Sequence, residues 1–99
     1  DNGLNFVAQS SWDVTGWKSQ SLDNKPFIAV DTIGNVFITD PEGYRVIEFG
    51  QSGDFLRTWG DYSPDSDGFG LPSGIATDYS GGIWVVDSAN SRLLHFRLQ

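Results

Sequence analysis

The segment from Asp61 to Phe69 is the most acidic in the chain, and it also contains two aromatic residues. Asp65 and Asp67 are spaced like the first oxygen ligands of a calcium loop. The segment lacks a third spaced ligand, and Gly74 stands at the place after Gly68 where a calcium loop carries glutamate. We therefore predict a solvated, turn-rich loop here and no metal site.

His95 is the single histidine, and the chain contains no cysteine. One histidine cannot supply a multi-histidine zinc site, and no Ser–His–Asp triad is evident. Alternation along the strand places His95 on the face opposite Leu94 and Phe96, so we expect a packed residue or one at a sheet edge. We predict no catalytic residues and no cofactor.

These residues belong to a motif that is present twice, with the copies 47 residues apart. The spacing relates Trp12 to Trp59, Asp31 to Asp78, and Asp40 to Asp87. Repeats of about this length are typical of solenoids and propellers, in which a unit buries its apolar faces only against neighbouring units. The chain is therefore expected to consist of a repeated sheet unit.

Short apolar runs separated by turn residues predict strands, and no run has helical periodicity. The runs are 27–31, 36–39, 44–49 and 55–59 in the first repeat, here called strands a to d, and 74–78, 83–86 and 92–97 in the second. Gly34-Asn35 and Gly53-Asp54 supply hairpin-type turns. Residues 5–12 correspond to a further strand d, so the predicted order is d, then a to d, then a to c.

Charged residues at the strand ends have a structural interpretation. Asp40 and Asp87 end strand b, and Arg45 and Arg92 begin strand c, so we expect an ion pair or backbone cap across each b–c turn. Asp31 and Asp78 precede glycine-containing turns, where Asx-type hydrogen bonding is expected. Trp12, Trp59 and Trp84 are expected to fill space between sheets, whereas Trp17 is expected to be exposed.

Composition disfavours several classes of function. The 99-residue chain has a formal net charge of −7. An acidic surface repels phosphate backbones and anionic lipid, so we expect no nucleic acid partner and no membrane-surface binding. No stretch approaches the roughly 20 apolar residues of a membrane span.

The absence of cysteine excludes disulfides but leaves the compartment open. The absence of methionine at position 1 favours an internal or processed start.

The pattern from Pro72 to Asp78, followed by Gly81 to Asp87 and by Asn90-Ser91-Arg92, resembles an NHL repeat. The copy at 28–49 is similar but lacks the glycine before Ile28. The resemblance implies an all-β protein, a β-propeller of four-stranded antiparallel blades, most often six. It also implies that the N-terminal strand completes the last blade, either in the same chain or in another copy.

On this basis residues 1–99 form a single propeller fragment with two blades. Residues 1–24 hold strand d and a linker, 25–63 the first blade, and 64–99 the second, three-stranded blade.

In this family the d–a and b–c loops share one propeller face, which implies a ligand site. The residues expected there are Glu42, Tyr44, Asp61, Tyr62, Asp65, Asp67 and Asn90, with Trp17 as a further exposed candidate. Aromatic rings stack on ligands and carboxylates accept hydrogen bonds, so this face suits a protein, such as a basic peptide, or a carbohydrate.

The favoured function is a non-catalytic binding and assembly module, in which three two-blade chains associate head to tail into a closed six-blade ring. Two alternatives stay open. The chain could be a fragment that closes a larger propeller of a multidomain protein, or it could be a metal-dependent lyase or lactonase, since some propellers that this sequence resembles have such activities. Such an enzyme needs several His or Glu ligands, and this chain has one His and two Glu. Its scattered basic residues disfavour RNA binding.

Overall fold

The computed structural model of the chain describes residues 6–14, 25–63 and 68–97. The strands in these ranges form two antiparallel sheets. The first sheet contains β1 (Ile28–Val30), β2 (Val36–Asp40), β3 (Arg45–Phe49) and β4 (Phe55–Trp59), and the second contains β5 (Pro72–Thr77), β6 (Gly82–Asp87) and β7 (Arg92–Arg97), each in sequence order. The all-β class and the strands predicted from the two repeats are confirmed.

The turns between strands are closed by aspartate side chains and by single 3-10 turns. Asp31 Oδ1 accepts the N–H groups of Ile33 and Asn35 at 3.0 and 2.9 Å, and Asp78 Oδ1 accepts those of Ser80 and Gly82 at 2.9 and 2.7 Å. The predicted Asx turns are therefore confirmed. The 3-10 turns at Pro41–Gly43 and Ser88–Asn90 join β2 to β3 and β6 to β7. In the described ranges no helix is long and apolar enough to cross a membrane.

The two sheets pack face to face because alternation gives each strand an apolar side toward the other sheet. The inter-sheet core consists of Phe37, Val46, Phe69, Ile83 and Val85, with Trp59, Ile75, Leu94 and Phe96 packed against it. Trp59 lies between the sheets, with ring centroids 6.3 Å from Phe37 and 5.7 Å from Phe96. Its predicted role as a filler of this space is confirmed.

Each sheet also has an outer face, turned away from the inter-sheet core. On the first sheet this face consists of Val36, Ile38, Ile47 and Phe49, which are buried, and of Ile28 and Phe55, which are exposed. On the second sheet it includes Trp84, Val86 and Leu93, with 37%, 42% and 58% of their surface exposed. Trp84 was predicted to lie between sheets, but in this chain alternation turns it outward.

The N-terminal segment departs from its predicted place. Residues 6–12 form no strand, and β6 is the only strand paired with β7 in the described part of the chain. Trp12 packs instead on the first sheet, with its ring centroid 6.3 Å from that of Phe49. Gly53 makes room for the indole, since a Cβ there would lie 2.8 Å from it. The prediction that this segment completes the second sheet of its own chain is therefore wrong, whereas addition to another copy stays a prediction.

Candidate functional site

The loop between β4 and β5 is organised by the carboxylate of Asp87 at the end of β6, which is fully buried. Its donors are the N–H groups of Gly70 (3.0 Å) and Leu71 (2.8 Å), the amide of Asn90 (2.9 Å) and Nε of Arg92 (3.0 Å). Burial alone raises the pKa of Asp87, but these hydrogen bonds outweigh burial and hold the pKa below its usual range. The side chain is therefore a fixed anion that ties two loops together.

Arg92 and Asn90 extend this network along the same loop. Arg92 Nη2 donates to the carbonyl groups of Gly68 at 2.8 Å and Ser63 at 3.3 Å, and Asn90 Nδ2 also donates to Ser63 at 3.3 Å. The predicted pairing of Asp87 with Arg92 is confirmed. The first repeat has the same pairing between Asp40 Oδ2 and Arg45 Nε, at 2.8 Å.

Phe69 anchors the β4–β5 loop in the inter-sheet core. It is fully buried, and its ring centroid lies 5.6 Å from that of Phe96. Its N–H donates to the carbonyl of Asp61 at 2.8 Å, and its own carbonyl accepts from Ser63 at 3.0 Å. Gly60 has φ of 115°, and a Cβ there would lie 2.6 Å from the Phe69 ring. Asp61, which follows Gly60 in this loop, is exposed at the surface.

Two tyrosines form an aromatic pair at the surface above this network. The rings of Tyr44 and Tyr62 are edge to face, with centroids 5.1 Å apart and planes at 64°. Tyr44 is 37% exposed and Tyr62 is 68% exposed. Glu42 and Asp61, close to the tyrosines in sequence, are exposed as well. We call Glu42, Tyr44, Asp61 and Tyr62 the loop face.

The structure divides the predicted site residues into three groups. Those of the loop face lie at the surface, and two of them, Tyr44 and Tyr62, are in contact. Asn90 is half-buried, and its amide donates to both Asp87 and Ser63, so it positions the loop. Trp17, Asp65 and Asp67 lie outside the described residues.

A cleft of about 520 Å³ between the two sheets was not predicted. Phe37, Trp59, Ile83 and Phe96 form its apolar lining, and Asp31, Glu48, Arg57 and Arg97 its charged lining. Glu48 is 2% exposed and pairs with Arg57 at 2.7 Å. The lining residues come from strands and turns of both sheets, so no local sequence pattern marks the cleft.

A second unpredicted cluster lies on the outer face of the second sheet. The rings of Trp84 and His95 are stacked, with centroids 3.9 Å apart and planes at 10°. Asp78 Oδ2 accepts from Trp84 Nε1 at 3.0 Å and lies 3.4 Å from His95 Nε2. Hydrogen bonds, chiefly from the N–H of Gly82 and from Trp84, hold the pKa of Asp78 well below its usual range. His95 is exposed, stacks on a neighbouring ring and lies on the last described strand of its sheet, which agrees with the prediction of a packed or edge residue.

The comparisons with known proteins agree with the repeated sheet unit. A family model described as the NHL repeat matches residues 69–96, which hold β5, β6, most of β7 and the four residues that donate to Asp87. NHL repeat-containing protein 3 of Mus musculus is 31% identical over 87 residues, covering 83% of this chain and 24% of the relative. Its Homo sapiens counterpart is 30% identical over 80 residues, covering 76% and 22%. The chain belongs to the NHL-repeat family.

The matched NHL repeat is the second of the two copies, and the first copy has the same strand order, turns and Asp–Arg pairing. NHL repeats typically form protein-interaction domains. The chain spans about a quarter of the length of the curated relatives that it matches.

The relatives' names indicate no catalytic activity. Across the described ranges, no group of three or more His, Asp or Glu side chains is placed to hold a metal ion. That this NHL-repeat chain needs no metal stays a prediction.

Proposed function

We propose that this NHL-repeat chain is a non-catalytic protein-interaction module that associates head to tail with further copies of itself. The supporting observation is that its two outer faces repeat the two sides of the interface already buried inside the chain. Trp84 and Leu93, on the outer face of the second sheet, stand 47 residues after Phe37 and Val46 of the inter-sheet core.

The complementary relation holds for the outer face of the first sheet. Ile38 and Phe49 stand 47 residues before Val85 and Phe96, which pack against the first sheet. Ile38 and Phe49 are already covered by Trp12 and Val14 of the same chain, so a second copy that brings its second sheet against this face would newly bury the exposed Ile28 and Phe55. The same step repeated in three chains gives six sheets, the number at which we expect a closed ring.

The mass of the protein in solution tests this proposal. Native mass spectrometry and light scattering are expected to give three times the mass of one chain. Leu93→Asp should weaken the association at least about tenfold, because it places a charge in an apolar interface. Tyr79→Asp adds the same charge at a side chain that is 96% exposed and should leave the mass unchanged. A single-chain mass at every concentration would contradict self-association and would favour further blades of a longer polypeptide as the cover of both faces.

We further propose that the loop face binds a basic peptide segment. Two observations support this: the rings of Tyr44 and Tyr62 are in edge-to-face contact and partly exposed, and Glu42 and Asp61, which are close to them in sequence, are exposed as well. A lysine or arginine side chain can lie against a tyrosine ring while its charge meets the neighbouring carboxylates.

Titration with arginine-rich and lysine-rich peptides tests the loop face. Tyr62→Ala is expected to weaken peptide binding about three- to tenfold, and binding should weaken as salt rises. Tyr79→Ala, which removes an exposed tyrosine from a different turn, is the matched control. Equal loss of peptide affinity in Tyr62→Ala and Tyr79→Ala would overturn the basic-peptide proposal. Binding of neutral oligosaccharides that does not change with salt concentration would also overturn it.

A further inference from the structure

The cleft between the two sheets has an ion pair among its apolar walls. Phe37, Glu48 and Arg57 are directly opposite one another across β2, β3 and β4, so their side chains share one face of the first sheet. Phe37 belongs to the inter-sheet core, so this face is turned toward the second sheet. There the paired residues Ile83 and Phe96 line the other side of the cleft. The cleft therefore joins an apolar, ring-lined wall to one ionic side.

The carboxylates in the lining already accept hydrogen bonds. The buried Glu48 accepts from Arg57 Nη1 at 2.7 Å through Oε1 and from Asn35 Nδ2 at 3.1 Å through Oε2. Asp31 Oδ1 accepts two backbone N–H groups of the β1–β2 turn. The bond with Glu48 engages one nitrogen of the Arg57 guanidinium, which carries further N–H groups on a partly exposed side chain. The lining is thus better supplied with donors than with acceptors for an incoming molecule.

Trp59 provides a second observation that points to a ligand. Its ring lines the cleft, and its Nε1 is buried with no hydrogen-bond acceptor among the described residues. A buried N–H group without an acceptor costs free energy that a ligand oxygen would restore. Trp84 Nε1, by contrast, donates to Asp78 at 3.0 Å. The cleft also contains open space beside Gly81, where a Cβ would meet no atom within 4 Å beyond its chain neighbours.

We propose that this cleft binds a small aromatic carboxylate. The rings of the ligand lie among Phe37, Ile83 and Phe96, and its oxygens accept hydrogen bonds from Trp59 Nε1 and from the Arg57 guanidinium. Trp59 and Arg57 are two positions apart on β4, so both side chains are on the face that borders the cleft. The volume of about 520 Å³ is within the roughly 300–1,000 Å³ of small-molecule sites. The site is formed within one chain and is independent of the proposed self-association.

Titration of the natural protein with 2-naphthoate tests the site, followed by NMR of the tryptophan indole N–H signals. Naphthoate should shift the Trp59 signal in a saturable way and leave that of Trp84 unchanged. 2-Naphthylmethylamine has the same rings but carries a donor cation, so it should bind at least about tenfold more weakly. Equal affinity for the two probes would overturn the carboxylate class. An unchanged Trp59 signal up to the solubility limit of naphthoate would overturn the site itself.

Two variants then examine the proposed donors by calorimetric titration with naphthoate. Trp59→Phe keeps an aromatic ring but removes the N–H group, and it should weaken binding about two- to tenfold. Arg57→Lys keeps a positive charge beside Glu48 but loses the planar fork, so it should weaken binding as well. Trp84→Phe removes an indole N–H from the outer face of the second sheet and is the matched control. Equal losses in Trp59→Phe and Trp84→Phe, or full affinity in both Trp59→Phe and Arg57→Lys, would contradict the proposal, whereas the native mass alone decides self-association.

Discussion

Replacing Asp87 by alanine is expected to lower the free energy of unfolding by about 3–5 kcal/mol, the range for removing one partner of a buried ion pair. The substitution leaves Arg92 without the anion that it faces and removes the acceptor for the N–H groups of Gly70 and Leu71. Denaturant unfolding followed by tryptophan fluorescence measures the loss. Asp87→Asn retains the shape but not the charge, so its loss should be smaller.

A matched control separates this effect from the loss of any negative charge. Asp61 is exposed in the same loop, and Asp61→Asn should change stability by less than about 0.5 kcal/mol. Comparable losses for Asp61→Asn and Asp87→Asn would contradict the assignment of Asp87 as the organising anion.

The stabilisation of the folded state by Asp87 should decrease as pH falls. Because the pKa of Asp87 is lowered in the folded protein, the native state favours the ionised form more than the unfolded state does. Its contribution is fully present above the pKa of an unfolded aspartate, about 4. As pH falls below that value toward the folded pKa, the contribution is lost. The stability difference between the natural protein and Asp87→Asn should therefore be constant near pH 7 and shrink below about pH 4.

The strands and the Asp–Arg pairs were predictable from sequence because their causes are local. Apolar runs that follow glycine-containing turns define β2 and β6, and Arg92 stands five positions after Asp87 in a hairpin that brings them together. The repeat strengthened both inferences, since each feature occurs twice with one spacing. Local causes of this kind leave a signature that a single sequence can show.

Other features depended on contacts between distant segments and were not predictable. The cleft combines strands of both sheets, and no pattern within either one marks it. Trp12 was correctly related to Trp59, yet that relation alone does not decide whether its segment pairs with β7 or packs on the first sheet. In the structure Trp12 packs on the first sheet, because its indole contacts Phe49 and the absence of a side chain at Gly53 leaves room for it. Sequence placed Tyr44 and Tyr62 on one face only through the family resemblance.

Phe69→Ala is expected to cost about 3–5 kcal/mol of unfolding free energy, the range for removing a fully buried aromatic side chain. Phe69 packs against Phe96 in the inter-sheet core, and its backbone closes the loop that carries Asp61. The cavity left by Phe69→Ala would lie where the two sheets and the loop meet. The substitution should therefore destabilise both sheets. Thermal unfolding monitored by circular dichroism and by tryptophan fluorescence measures it.

The decisive observation is whether the transitions followed by circular dichroism and by tryptophan fluorescence occur at the same temperature. If the inter-sheet core joins the sheets into one cooperative unit, Phe69→Ala lowers both transitions together. Tyr79→Ala, at a 96% exposed side chain, should move neither. Separate transitions in Phe69→Ala, with one sheet unaffected, would show that each sheet is stable alone. That result would also weaken the assembly proposal, because the outer faces are proposed to associate through the kind of contact that Phe69 and its neighbours make inside the chain.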